Sequence, residues 1–132
     1  MQNKHITPAR RTSLELLNKI LVSNEPFEKI ILSSKKFLSL DDKDKRFTRL
    51  IITTVLRKFG QIDFIINQFI KKGSIKKNNL KNIIRIGIAE LIFIKSAKYA
   101  AINEAVETTK KNYSNRHSKF TNAVLRLSLI HN

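Results

Sequence analysis

The chain has 132 residues, 42% of them hydrophobic, enough for one domain over residues 1–132 with a core of its own. Lys and Arg exceed Asp and Glu by 26 − 10 = 16, a surplus that on a small domain attracts polyanions and makes nucleic acid the first partner to consider; a generally Lys- and Asn-rich proteome is the bland alternative. There is no Cys, which removes disulfides, thiolate metal sites and cysteine nucleophiles and fits a reducing, cytoplasmic setting.

Only 3 Gly and 2 Pro occur, and apolar residues recur every three or four positions, so the chain reads as all-α, a compact bundle of about seven helices. The opening "TPARR" starts a first helix, with Thr7 as cap and Pro8 in the first turn, running to about Asn24 with Leu16, Leu17, Ile20 and Leu21 inward. Pro26 opens a second helix through Phe27, Ile30, Ile31 and Phe37. "SLDDKDKRF" opens a third, capped by Ser39 or Asp41, its acids at the positive end of the helix dipole. That helix runs to Phe59, where Gly60 is expected to bend the path before "QIDFIINQFIKK". From Leu80 to Ile94 apolar residues cover most of the circumference, which places this helix at the centre. "IKSAKYA" reads as a linker. Asn103 then caps a helix with Ile102, Ala105 and Val106 inward. A last helix begins near Asn115 with Phe120, Ala123, Val124 and Leu127 inward.

The apolar runs "LIITTVL" and "IGIAELIFI" fall far short of the roughly 20 residues of a membrane span, and the N-terminus is no secretory signal. Catalytic groups are scarce: His5, His117 and His131, no HExxH, no GxGxxG and no GxxxxGK[ST]. Asp41, Asp42 and Asp44 lack the Gly and closing Glu of a calcium loop. Neither a metal nor a cofactor is expected, and no enzyme is recognisable.

Two acid-free clusters hold much of the charge. Lys76, Lys77, Lys81 and Arg85 fall in one. Lys110, Lys111, Arg116, Lys119 and Arg126 fall in the other, and with a helix from Asn115 the residues Arg116, Lys119, Asn122 and Arg126 form one stripe. Asn122 either sits among these cations as an RNA-contacting amide or is buried at the edge of the stripe and bonded to a neighbouring helix; burial is favoured, because a mid-helix Asn has poor propensity. Tyr99 and Tyr113 are the aromatics expected at the surface, too few for a base-stacking platform, so phosphate contacts should dominate.

"INEAVETTKK", a short polar loop and "KFTNAVLR", with "LDDKDKRF", "VLRKFGQID" and "IIRIGIAELIFI" upstream, resemble the NusB family over about residues 8–127. Within it, "VLRKFGQID" and "NAVLR" look more like the N-terminal domain of the ribosomal RNA cytosine-5 methyltransferase RsmB (Sun/Fmu) than like the antitermination factor, whose final motif usually carries an acid where Arg126 stands. The resemblance implies two packed helical sub-bundles and RNA binding, to ribosomal or precursor RNA or to a boxA sequence in a nascent transcript. It adds Arg10 and Arg11, at the start of the first helix, to the RNA-binding candidates. It implies as partners a small-subunit ribosomal protein or a methyltransferase catalytic domain, and this chain has no cysteine for methyl transfer. A protein-docking scaffold without direct RNA contact is the alternative from a different class.

Overall fold

A computed structural model describes residues 6–70 and 78–130. The described elements are all helical: α1 (Pro8–Val22), α2 (Phe27–Leu32), α3 (Lys35–Leu38), α4 (Asp42–Arg57), α5 (Phe59–Asn67), α6 (Asn78–Ile88) with a π-helical continuation (Ala89–Ile94), α7 (Lys98–Asn112) and α8 (Asn115–Ile130). Eight α-helices thus stand where about seven were expected. The extra one arises because the second helix breaks at Ser33 and Ser34, the latter capping α3 by accepting the Phe37 amide.

Two apolar clusters hold the helices together. Leu16, Ile31, Phe37 and Ile52 tie α1 to α2, α3 and α4. A larger cluster gathers Leu17, Ile51 and Val55 with Ile62 and Ile66 of α5, Ile84 and Ile88 of α6, Ala101 and Ile102 of α7, and Val124 and Leu125 of α8. Leu56 packs against both, so the clusters form two sub-bundles with a shared wall. Every residue from Asn82 to Leu91 is buried, which makes α6 the axis of the larger bundle. Gly87 allows the closest approach along that axis, since a Cβ there would lie 2.8 Å from Leu125 Cδ2.

Several local expectations change. Asp41, not Ser39, caps α4 by accepting the Asp44 amide. The turn between α4 and α5 falls at Lys58, ahead of Gly60, which sits inside α5. α7 starts at Lys98, so Asn103 lies inside a helix and caps nothing. In α8 the inward residues are Ser118, Thr121, Val124, Leu125 and Ser128, while Ala123 and Leu127 face outward. Small hydroxyl residues take the α7–α8 seam because they let the backbones approach and satisfy themselves locally: Thr109 Oγ1 donates to the Ala105 carbonyl and lies 3.0 Å from Thr121 Oγ1. Among the described residues no buried side-chain nitrogen or oxygen lacks a partner.

Candidate nucleic-acid interface

Of the cations expected at the RNA, two are structural. Arg10 is half-buried, its guanidinium 5.3 Å over the Phe47 ring, and all three guanidinium nitrogens donate: Nε and Nη2 to the two oxygens of Glu90 at 2.8 and 2.7 Å, and Nη1 to Glu104 Oε2 at 2.8 Å. Glu104 Oε1 also accepts the Thr7 amide and hydroxyl at 2.8 and 3.1 Å, so Thr7 serves α7 and does not cap α1 with its side chain. Burial works against the charge of Arg10, but bonding and attraction to Glu90, then Glu104, outweigh it and raise its pKa above the ordinary value. Arg10 is therefore corrected from an RNA contact to the counter-charge of two buried carboxylates.

Arg85 is corrected in the same way. It is buried, forks onto Asp63 of α5 at 2.8 Å through both Nε and Nη2, donates to Asn82 Oδ1 and lies 4.4 Å over the Phe59 ring. Asn82 passes the chain of bonds to Asn18, Asn18 to Asn79, and Asn79 to the Tyr113 hydroxyl. This network fixes α1, α5 and α6 to the turn before α8, and it makes Tyr113 a half-buried structural residue instead of an exposed stacking surface. Lys81, half-buried, lies 3.9 Å from Asp63. Lys76 and Lys77 fall outside the described residues.

Of the remaining candidates, all but Arg11 lie on α8. Ser114 sits at its start, accepting the His117 amide at 3.2 Å and pairing with His117 Nδ1, while the His117 ring packs 5.3 Å from that of Tyr113. From this anchored turn, Arg116, Lys119 and Arg126 project into solvent along one face, and Lys110 and Lys111 are exposed at the adjoining end of α7. No acidic residue occurs after Glu107, and none of these five cations is in an ion pair among the described residues. The positive end of the α8 dipole adds to the field at Arg116.

Asn122 is half-buried on this face. Its Oδ1 accepts from Arg126 Nε at 2.9 Å, one turn along the same helix, so the expected bond to a neighbouring helix is not what holds it. Arg11 is exposed at the start of α1, with Nη2 donating to the Ile6 carbonyl at 2.7 Å. Tyr99, 79% exposed, is the aromatic most open to solvent. The surface thus offers separated cations and little for base stacking, a pattern that meets phosphates. Among the described residues no group of three or more His, Asp or Glu side chains could hold a metal, and no helix is long and apolar enough to cross a membrane.

The family model for the NusB family matches residues 7–129. The chain belongs to the NusB family. A transcription antitermination protein NusB from Helicobacter pylori (strain Shi470) is 30% identical over 121 residues, covering 90% of this chain and 88% of the relative. Among solved structures, a chain in a crystal structure of a plectonemic RNA supercoil is 25% identical with a TM-score of 0.78, over 94% of this chain and 93% of that one. A chain from a crystal structure of the antitermination factors NusB and NusE in complex with dsRNA superposes with the same score at 23% identity, over 95% and 96%, and shares the fold. The Helicobacter relative and the second of these structures carry the names of antitermination factors, in keeping with the noncatalytic expectation. They do not bear on the particular closeness to the methyltransferase domain.

Proposed function

We propose that this chain is a NusB-type transcription antitermination factor of the cytoplasm that binds RNA through the outer face of α8, with Arg116, Lys119 and Arg126 on phosphates, Lys110 and Lys111 extending the surface and Arg11 contributing from α1. The observation that carries this is the combination of unpaired cations and absent carboxylates along one anchored helix. A solvated face of an ordinary protein alternates its charges; this one does not. The membership of the chain in the NusB family, and its likeness to a protein chain crystallised with RNA, support the same partner. A NusE-type protein is the second partner of this reading, by analogy with the complex to which the fold is similar. Neither metal nor cofactor is required.

The test is a filter-binding titration with boxA RNA and ribosomal RNA fragments at several salt concentrations, for the parent chain and for Arg116→Glu with Lys119→Glu. Binding should fall with salt and drop at least tenfold in the variant at unchanged melting temperature. Affinity indifferent to both would move the assignment to a protein-docking scaffold.

Arg126 supports a second reading, an accessory RNA-binding domain of the methyltransferase type, because it stands where the antitermination factor's motif usually carries an acid. That reading predicts tighter binding to structured ribosomal RNA fragments than to boxA RNA. A preference for boxA would end it.

A further inference from the structure

A groove of about 880 Å³ runs between α5 and the end of α8, within the range of about 300–1,000 Å³ typical of clefts that take ligands. Phe64, Ile65 and Phe69 form one wall, Phe93 the floor and Leu127 the other wall. Phe64 is 66% exposed and Leu127 40%, although large apolar side chains on a stable helix ordinarily turn inward. Exposed apolar surface concentrated in a concave site marks a place where another molecule sits.

The charges around it state what kind. Lys58 lies with Nζ 5.4 Å from the centroid of Phe93, and Arg126, next to Leu127 in the chain, is exposed. Only two carboxylates occur on the three elements that line the groove, and both are turned elsewhere: Asp63 to Arg85 and Glu90 to Arg10. Among the described residues none that lines the groove is charged. The groove combines its aromatic and aliphatic side chains with the neutral polar Gln61, Gln68 and Ser128, has a cation at its edge, and among the described residues no free acid faces it.

We infer that the α5–α8 groove docks an acidic amphipathic helix of a partner protein, with apolar side chains of that helix beside Phe64, Phe93 and Leu127 and its carboxylates toward Lys58 and Arg126. A helix laid in a groove satisfies its own backbone and presents apolar anchors at three- and four-residue intervals, which suits a floor that offers few polar groups. A second copy of this chain is the wrong occupant: a symmetric contact would bring Lys58 and Arg126 of both copies together on chains of formal charge +16 each. RNA is also a poor occupant, because the walls offer phosphates no donor of their own beyond amides and a hydroxyl. The apolar anchors Phe64, Phe93 and Leu127 lie outside the residues given to RNA, and Arg126 alone is shared between the two surfaces.

The experiment uses the full chain and three fluorescein-labelled 18-residue peptides. One has a Leu/Phe stripe at helical spacing on a Glu-rich background, one has the same composition with the stripe scrambled, and one keeps the stripe on a Lys-rich background. Anisotropy should show the first binding at least tenfold more tightly than either of the others. Phe64→Ala should weaken it at least tenfold while leaving boxA RNA affinity and melting temperature unchanged. Gly60→Trp provides a second variant: Gly60 lines the groove and a Cβ there meets nothing within 4 Å, so the indole should obstruct the site without disturbing the core. Equal binding of ordered and scrambled acidic peptides would reduce the effect to net charge and overturn the inference. So would self-association in sedimentation that Phe64→Ala abolishes, or a loss of RNA affinity in Phe64→Ala.

Discussion

Arg126 donates from Nε to Asn122 Oδ1 at 2.9 Å on the outer face of α8, so the asparagine of "KFTNAVLR" steadies a cation rather than joining two helices. Its replacement should therefore be cheap for the fold. Asn122→Leu should change stability by less than about 0.5 kcal/mol, the range of surface substitutions away from buried networks, because its partner Arg126 is exposed and can turn to water. RNA affinity should fall about threefold, as Arg126 loses the contact that holds it in place. Thermal melts and a parallel RNA titration check the pair of outcomes; a loss of 2 kcal/mol or more would show that Asn122 carries a buried contact after all.

Arg10 behaves in the opposite sense. Removing it leaves Glu90, 1% exposed, and Glu104 buried without a counter-charge, and breaking a buried pair in this way costs about 3–5 kcal/mol. Arg10→Met should thus melt far below the parent, and Arg10→Glu lower still. Adding Glu90→Gln to Arg10→Met should recover part of the loss, because the second change removes a stranded charge. The pH dependence follows from the raised pKa of Arg10: its stabilisation is fully present below the ordinary guanidinium range and is lost only as pH climbs through the higher folded value. Between pH 5 and 9 the contribution of Arg10 should be flat. Equal melting of parent and Arg10→Met would contradict the buried pair.

The two described glycines inside helices make a matched contrast. Gly60 lies in the first turn of α5 with open space where a Cβ would go, so Gly60→Ala should stabilise by about 0.5–1 kcal/mol through helix propensity. At Gly87 the same change drives a methyl to 2.8 and 2.9 Å from the Leu125 side chain, and should cost about 1–3 kcal/mol as the α6–α8 seam is forced apart. Urea midpoints of the two variants should move in opposite directions.

Much of this architecture was readable from spacing alone. Helical periodicity located α1, α4, α6 and α8, and the all-round apolar pattern of residues 80–94 identified the axis, because burial on every side leaves no polar face to read otherwise. Spacing failed where polar residues went inside. The α8 face was misjudged by placing Ala123 and Leu127 inward, when Ser118, Thr121 and Ser128 fill the narrow seam against α7. The family resemblance pointed Arg10 at RNA and charge counting did the same for Arg85, and neither distinguishes a cation facing water from one facing a carboxylate 80 or 22 residues away. One signal was available: Glu90 stands in the middle of "IGIAELIFI", and a carboxylate on a helix buried all round requires a cation from elsewhere. The α8 stripe was accessible to sequence because its residues are local, and locality is what periodicity measures.

The salt dependence of RNA binding tests that stripe quantitatively. Each phosphate neutralised on a single strand contributes about −0.7 to the slope of log K against log salt, so about five contacts give roughly −3.5. Arg116, Lys119 and Arg126 along α8, with Lys110 and Lys111 at the adjoining end of α7, are five exposed cations, whereas Arg10 and Arg85 already spend their charge on carboxylates and should add nothing. Replacing Arg116 and Lys119 by Gln should make the slope shallower by about 1.4 while the melting temperature stays constant, because neither side chain packs on the core. Arg85→Gln should do the reverse, lowering the melting temperature by exposing the fork on Asp63 and leaving the slope of the remaining folded protein intact. A slope that responds to Arg85 but not to Arg116 and Lys119 would place the RNA on the α5–α6 side of the molecule and remove α8 from the interface.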